Sequence, residues 1–276
     1  MTNSREYSKV EEASSISGKM PVLFAGHGSP MNAIEENQFV DGFRDIAKTL
    51  PTPVAIICIS AHWYTNGTKV TAMELPETIH DFRGFPNQLY EVQYPAKGNP
   101  ILANQTKALL IPAIAELDEK WGLDHGAWSV LKHLFPKADI PVIQLSIDYT
   151  RSAAYHYELA QRLGSLRNKG VLIIGSGNII HNLGLVDFQH FDKENYGYDW
   201  AIEAREIINN YLMDGNYQPL INYLRLSKAI QLAIPTPDHY LPLIYALGLQ
   251  QKGESITLFN DELVAGSFSM TSLKIA

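Results

Sequence analysis

Two short apolar runs, each followed closely by a histidine, constrain the fold of this chain most strongly. Residues 21–25 lead into the turn GHGSP, which contains His27, and residues 54–59 lead into SAHW, which contains His62. Runs of five or six apolar residues bounded by glycine, proline or serine are typical of buried β-strands. Ligands of open α/β sheets bind outside the carboxyl ends of the strands. Both histidines are therefore expected at a ligand-binding edge.

The rest of the chain alternates between strand-like and helix-like segments. The patterns predict further strands over residues 69–73, 141–147, 171–175, 255–259 and 267–275. They predict helices over residues 34–50, 100–117 (ended or kinked by Pro112), 127–135, 152–169, 198–213, 218–224 and 237–246. This alternation indicates an α/β fold, a single three-layer domain with a central, mostly parallel sheet flanked by helices. We expect residues 1–19, which are polar, to form a flexible N-terminal extension, and residues 20–276 to form the domain.

Composition narrows the classes of partner. The net charge is −7, which argues against nucleic acid and anionic membranes as partners. No apolar run is long enough to span a bilayer. The single cysteine, Cys58, lies in an apolar run and is expected to be a buried residue of a reduced, cytoplasmic protein.

The local contexts of the nine histidines separate them into two groups. Five are predicted in turns after strands or at helix starts, where α/β proteins place functional groups: His27, His62, His125, His181 and His239. The other four are expected to be structural or solvated, with His80 hydrogen-bonded to a neighbour in a loop: His80, His133, His156 and His190. Neutral imidazole suits Zn, Fe, Cu and Ni, so the five predict a shared metal site. Neither a nucleophile elbow nor a phosphate-binding loop is present.

Five motifs in this order resemble a known family: GHGSP at 26–30, SAHW at 60–63, DHG at 124–126, SGNIIHN at 176–182 and PTPDHYLP at 235–242. The chain resembles the class III extradiol ring-cleavage dioxygenases, and within them the 4,5-DOPA dioxygenase-like branch. The resemblance covers nearly the whole chain from Met20 onward. It implies that a catechol such as L-DOPA is opened by 4,5-cleavage with both atoms of O2, at a mononuclear metal held by histidines.

The resemblance also implies residue roles. His27, His62 and His239 are similar to the family's metal ligands, and His181 either joins them or acts as acid/base. His125 matches a position that lines the substrate pocket and is the second candidate for acid/base. The better-known class III enzymes bind Fe(II) with two histidines and a glutamate, whereas this chain offers His239. We therefore expect one divalent metal, with Zn(II) as bound and Fe(II) for turnover.

The aromatic side chains near these motifs are candidate walls for the ring of the substrate: Trp63, Tyr64, Phe82 and Tyr240. Three alternatives remain open at the level of sequence. They are a zinc-dependent hydrolase, a tetrapyrrole metal chelatase and a non-catalytic zinc-binding protein with a closed site. The oligomeric state is open as well.

Overall fold

The structure, a computed structural model, describes residues 18–191 and 193–276. The strands in this part of the chain are β1 (Val22–Gly26), β2 (Ala55–Ser60), β3 (Tyr64–Thr65), β4 (Thr68–Thr71), β5 (Ala115–Asp118), β6 (Val142–Gln144), β7 (Ile147–Asp148), β8 (Val171–Gly177), β9 (Ile256–Phe259), β10 (Leu263–Val264), β11 (Phe268–Ser269) and β12 (Ser272–Ile275). The α-helices are α1 (Gln38–Lys48), α2 (Asn87–Tyr90), α3 (Pro100–Leu109), α4 (His125–Leu134), α5 (Ala153–Gln161), α6 (Gly164–Arg167), α7 (Asp199–Met213), α8 (Gln218–Ile221), α9 (Lys228–Ala233) and α10 (Leu241–Gly248).

A six-stranded sheet with the order β6-β2-β8-β1-β12-β9 forms the centre of the molecule. Strands β6, β2, β8 and β1 pair in parallel with one another in this order. Strands β12 and β9 complete the sheet in antiparallel pairing. The sheet is therefore mostly parallel, as the sequence predicts.

Helices cover both faces of this sheet. Successive residues of a strand point to opposite faces, so Val22 and Phe24 of β1 pack into one core while Leu23 packs into the other. The first core also receives residues of α5, α7 and α10, and the second receives residues of α1 and α4. The predicted three-layer α/β domain is confirmed.

Side-chain caps begin the two helices of the second core. The Asn37 side chain accepts the N–H groups of Phe39 and Val40 at the start of α1. The Asp124 side chain accepts the N–H of Ala127 at the start of α4. Each cap satisfies backbone donors that the helix leaves unpaired. The first of these helices begins later than predicted, since residues 34–36 precede its cap.

The helix predicted over 100–117 is wrong in its second half. Helix α3 ends at Leu109, and Ala115–Asp118 forms β5, which pairs in parallel with β4. Pro112 lies in the connection, because its ring and missing N–H prevent a helix from continuing.

Other boundaries differ from the predictions as well: the strand expected over 141–147 is divided into β6 and β7, which lie in different sheets, and the helix expected over 218–224 ends at Ile221. The helix expected over 152–169 is split into α5 and α6, and the split precedes Gly164, a weak helix former. The strand expected over 267–275 is two strands, because β11 leaves the central sheet to pair with β10. The last helix begins at Leu241 rather than 237, with Pro242 in its first turn, where proline fits best. Residues 1–17 of the predicted extension lie outside the described residues.

Candidate metal centre

Three histidines follow the carboxyl ends of three adjacent strands of the central sheet. His27 comes directly after β1, His62 lies two residues after β2, and His181 lies four residues after β8. The register brings these ends to one level, since Gly26 of β1 lies beside Gly177 of β8. The strand-end placement predicted from the sequence is what brings these side chains to one edge.

Two further histidines reach the same edge from the segments packed above it. His125 is the first residue of α4, directly after the capping Asp124. The sequence predicted His239 in the first turn of a helix, but it lies in the turn before α10. Its carbonyl oxygen packs against β8, where a Cβ added to Gly177 would lie 2.1 Å from that oxygen. Only glycine at this position lets the His239 turn approach the sheet so closely.

The five imidazole rings form one cluster. The ring centroids of His27, His62 and His239 lie 5.0–5.3 Å from one another. The ring of His125 lies 3.9 Å from that of His62. The ring of His181 stacks on that of His239 at 3.6 Å with an interplanar angle of 5°. All five histidines singled out in the sequence are therefore brought together.

A hydrogen-bond chain defines the tautomer of His27. The Ser176 hydroxyl donates its only proton to the carbonyl oxygen of Gly126 at 2.6 Å. Its oxygen lies 3.1 Å from Nδ1 of His27 and can only accept there. His27 therefore carries its proton on Nδ1 and presents the lone pair of Nε2 to the other histidines.

Carboxylates hold the outer nitrogens of three other rings. Nδ1 of His125 lies 2.9 Å from Oδ1 of Asp81, and Nδ1 of His62 lies 3.4 Å from Oδ2 of the same side chain. Nδ1 of His239 is hydrogen-bonded to Asp238. Such outer-nitrogen bonds orient an imidazole so that Nε2 faces a metal.

Burial is the largest influence on the protonation of these histidines. It lowers the pKa of His27 and of His62 well below the usual value, and the charges that neighbouring imidazoles would carry lower them further. The same two causes lower the pKa of His181 to about 3. Burial by itself would raise the pKa of Asp81, but the hydrogen bonds and charge of its histidine neighbours outweigh burial and lower it. The imidazoles of His27, His62 and His181 are thus neutral near pH 7, which is the metal-binding form.

The separations of the ring nitrogens fit a metal ion. Nε2 of His27 and Nε2 of His62 are 3.2 Å apart. Two imidazole nitrogens that bind one ion at about 2.0–2.1 Å, with octahedral or tetrahedral angles, are separated by about 2.8–3.4 Å. One ring nitrogen from each of His27, His62 and His125 lies within 4.8 Å of the other two. The donor set and its spacing therefore fit a metal ion, and among the described residues it is His125 rather than the predicted ligand His239 that completes this group of three.

A cavity of about 910 Å³ opens from the histidine cluster. All five histidines line it, together with an apolar wall made of Phe82, Phe85, Phe188, Phe191, Phe268, Val264 and Met270. An aromatic wall beside a few convergent polar groups is typical of a small-molecule site.

Only one of the four aromatic residues predicted to line the pocket does so. Phe82 is part of the wall, with its ring 5.4 Å from that of His125. Trp63 is buried against Trp121, with the two rings stacked at 5.9 Å. Tyr240 is buried as well and donates its hydroxyl proton to the carbonyl of Leu220. Tyr64 lies outside the cavity, with its ring 5.5 Å from that of Tyr149 on the surface. Ordinary packing therefore accounts for two of these side chains.

The remaining histidines have the structural roles expected of them. His80 and His133 are hydrogen-bonded to the carbonyls of Val92 and Asn32. His156 is fully buried and lies 2.9 Å from the Tyr245 hydroxyl. His190 is exposed and paired with Asp187.

Sequence reasoning missed two residues that orient the cluster. Asp81 was noted only as part of a loop beside His80, and Ser176 only as part of a motif. Both contacts join residues far apart in the chain, so no local pattern reveals them. The DF pair at 81–82 carried a weak signal, since it places a carboxylate next to an aromatic residue.

Comparisons with known proteins agree with this geometry. Residues 20–264 match the family described as the catalytic LigB subunit of aromatic ring-opening dioxygenase. The chain is 47% identical to the 4,5-DOPA dioxygenase extradiol of Escherichia coli K12, covering 94% of this chain and 96% of that one. It is 36% identical to the 4,5-DOPA dioxygenase extradiol of Beta vulgaris, covering 91% and 95%. The crystal structure of an uncharacterized protein from Escherichia coli K12 superposes with a TM-score of 0.81 at 42% identity, covering 94% of this chain and all of that one.

Across the described residues, we find no helix with the length and apolar character needed to cross a membrane. The family match and the histidine cluster together indicate a bound metal ion, with a small aromatic molecule and O2 as substrates. The chain therefore belongs to the LigB family of class III extradiol, aromatic ring-opening dioxygenases, which confirms the family and enzyme class that the sequence resemblance implies.

Proposed function

We propose that this protein opens the ring of a catechol such as L-DOPA by 4,5-cleavage, with both atoms of O2 entering the product. The observation that carries the proposal is the convergence of neutral imidazoles at one end of an aromatic-walled cavity. Two relatives that cover nearly the whole chain are named 4,5-DOPA dioxygenase extradiol, which supports this substrate class.

His27, His62 and His239 are the metal ligands in this proposal. Each has its outer nitrogen held by a hydroxyl or carboxylate, which orients the ring, and the His239 ring centroid lies 5.0–5.3 Å from those of the other two. His181 is a fourth ligand or, as we favour, an acid/base group. Asp238 contacts Nδ1 of His239, so it supports that ligand through the outer nitrogen.

Fe(II) is the metal proposed for turnover, because a redox-active ion held by these histidines would supply the activation of O2, whereas zinc has no redox chemistry. An all-imidazole donor set accepts either ion. The zinc form is therefore expected to be folded and inactive.

Proton transfer falls to His181 first and His125 second. His181 lines the cavity, and among the described residues no carboxylate or hydroxyl is hydrogen-bonded to its ring. A neutral imidazole can accept a proton from a catechol hydroxyl and return it later to an oxygen of the product. His125 differs because Asp81 holds its outer nitrogen, so its inner nitrogen alone faces the substrate.

The apolar wall binds the ring and excludes water. A catechol ring can pack against Phe82, Phe85 and Phe268 while its hydroxyls reach the histidines. Removing water strengthens the polar interactions at the reacting oxygens.

We also propose that the protein works in the cytoplasm, without nucleic acid or membrane partners. The buried, unpaired thiol of Cys58 suits a reducing compartment, and the net charge of −7 disfavours anionic partners.

The direct test removes the metal, reloads the protein with Fe(II) without oxygen, adds L-DOPA and then admits O2. We expect oxygen uptake together with the yellow absorbance of a ring-opened semialdehyde, and neither in a zinc-loaded control. No uptake across a panel of catechols, with iron shown to be bound, would contradict the proposal and favour a zinc hydrolase.

A matched pair of variants tests the ligand set. His239→Gln should lose the metal, whereas His125→Gln should keep it, as measured by metal content after gel filtration. The opposite result would make His125 the third ligand, an arrangement that the spacing of its ring nitrogen to His27 and His62 also allows.

A further inference from the structure

The side chain of Asp81 contacts two of the five clustered histidines. Its Oδ1 accepts both the Nδ1–H and the backbone N–H of His125, each at 2.9 Å. Its Oδ2 lies 3.4 Å from Nδ1 of His62, on the other side of the carboxylate. The Asp81 side chain is 16% exposed, so little water competes for these contacts.

An ionised carboxylate only accepts hydrogen bonds, so it requires a proton on Nδ1 of His125, to which it is hydrogen-bonded. Its negative charge 3.4 Å from Nδ1 of His62 favours a proton there as well. Both rings then carry the proton on Nδ1 and leave Nε2 bare. For His62 this is the nitrogen that binds a metal, and for His125 it is the nitrogen that meets the substrate.

Two hydrogen bonds at the residues just before Asp81 anchor its loop. The indole N–H of Trp128 donates to the carbonyl of Ile79 at 2.8 Å, and the ring of His80 is hydrogen-bonded to the carbonyl of Val92 at 2.9 Å. The next residue, Phe82, belongs to the cavity wall. One anchored loop therefore supplies both the carboxylate and part of the substrate wall.

We propose that Asp81 is a positioning residue that sets the tautomer and orientation of the ligand His62 and of the substrate-facing His125 at once. This inference rests on the proposed function, since it needs a metal at His62. The other anchors act on single rings, Ser176 on His27 and Asp238 on His239. Asp81 thus links metal binding to the substrate side of the site.

The isosteric change Asp81→Asn exposes this role, because an amide accepts at one end and donates at the other. If the amide oxygen keeps the two N–H groups of His125, the NH2 group faces Nδ1 of His62. The proton of His62 then moves to Nε2, and the ring can no longer bind a metal there. If the amide is reversed, His125 changes tautomer and its backbone N–H loses its acceptor.

The first measurement is titration of the metal-free protein with Co(II), followed by visible absorption. Wild type should bind one Co(II) per chain, and Asp81→Asn should bind about 10–100-fold more weakly. The matched control is Asp187→Asn, which alters the same kind of pair with the exposed His190, outside the histidine cluster, and should bind Co(II) as wild type does.

The second measurement reads the tautomers themselves by 15N spectroscopy of histidine-labelled, zinc-loaded protein. Wild type should show His62 and His125 with the proton on Nδ1, and Asp81→Asn should shift one of them. Since this prediction for wild type needs no variant, it holds even if the variant folds poorly.

The outcomes separate the two proposals. Failure of wild type to bind one Co(II) per chain overturns the metal centre itself. Normal Co(II) binding by wild type and equally by Asp81→Asn, or a wild-type His125 protonated on Nε2, overturns the role of Asp81 and leaves the metal centre standing.

Discussion

Two buried polar clusters lie at opposite ends of the parallel strands, and they differ in how their polar groups are satisfied. At the amino ends, the fully buried Arg167 donates to the carbonyls of Met20 and Leu249, each at 2.8 Å, and pairs with both oxygens of Glu254. Lys19 reaches the same carboxylate at 2.6 Å. Each nitrogen of the Arg167 guanidinium has an acceptor and its charge is paired, so this cluster needs no ligand to satisfy its polar groups.

The histidine cluster at the carboxyl ends has the opposite character. Like groups face one another, and the Nε2 atoms of His27 and His62 lie 3.2 Å apart. Beyond burial, neighbouring imidazoles lower the pKa of both rings, His62 acting on His27, and His125 and His239 acting on His62, because a charge on one disfavours a charge on the next. A cluster whose charges and hydrogen bonds are paired within the protein stabilises the fold. A cluster of neutral imidazoles whose ring nitrogens face one another is instead suited to binding a metal cation.

Among the substitutions that distinguish the two clusters, His62→Ala is expected to have the largest effect. Removing a ligand at the carboxyl end should abolish ring cleavage in Fe(II)-loaded protein, while the fold remains intact. Oxygen uptake and circular dichroism provide the two measurements. A variant that opens the ring at the wild-type rate would remove His62 from the ligand set.

His181→Gln distinguishes a ligand from an acid/base group within the histidine cluster. As acid/base, its loss should lower kcat about 10²–10⁴-fold while the metal content stays at the wild-type level. Metal analysis and steady-state oxygen uptake check the two parts. Loss of the metal would instead identify His181 as a ligand.

Glu254→Gln tests the amino end, where the effect should fall on stability. It leaves the buried guanidinium of Arg167 without its counter-charge, which should cost about 3–5 kcal/mol of unfolding free energy. Urea denaturation measures the loss, and Co(II) affinity should stay unchanged. A loss below about 1 kcal/mol would show that Arg167 does not depend on the ion pair.

Acid should remove part of the stability that the Arg167–Glu254 pair contributes. This loss should be smaller than that of Glu254→Gln and confined to a defined pH window. Burial by itself would raise the pKa of Glu254, but hydrogen bonds from Arg167 and Lys19 outweigh it and lower the pKa to about 2. The folded carboxylate is thus favoured over the unfolded one, whose pKa is near 4.5. This stabilisation is complete above pH 4.5 and disappears as the pH falls from 4.5 toward 2.

Comparing wild type with Glu254→Gln at pH 5 and at pH 3 isolates this contribution. The difference in unfolding free energy should shrink at the lower pH, as measured by urea denaturation at each pH. An equal difference at both values would contradict the assigned window.

The smallest effect is expected for Lys19→Met, which removes the more exposed partner of Glu254. The Lys19 side chain is 28% exposed, and exposed ion pairs contribute about 0–1 kcal/mol. The same denaturation experiment should show a loss well below that of Glu254→Gln. An equal loss would mean that Lys19, rather than Arg167, is the main partner.

Local signals in the chain specify the sheet and the positions of the candidate ligands. Short apolar runs end at His27 and His62, and parallel strands bring their carboxyl ends to one edge, so proximity of these residues follows from the pattern. Sequence patterns gave the wrong element or the wrong sheet where pairing with another strand determines the structure. The residues of β5 look helical until β4 supplies a pairing edge, and those of β11 alternate like β12 but pair with β10.

What the tertiary structure alone decides is the orientation of the rings and the shape of the cavity. Ser176 is 149 residues from His27, and Asp81 is 44 residues from His125, so neither contact follows from local spacing. Long-range packing also assigns Tyr240 to the core and Phe268 to the cavity wall, although both are simply aromatic in the sequence. Periodicity and turn chemistry act over a few residues, whereas the hydrogen bonds that aim an imidazole join segments that meet only after folding.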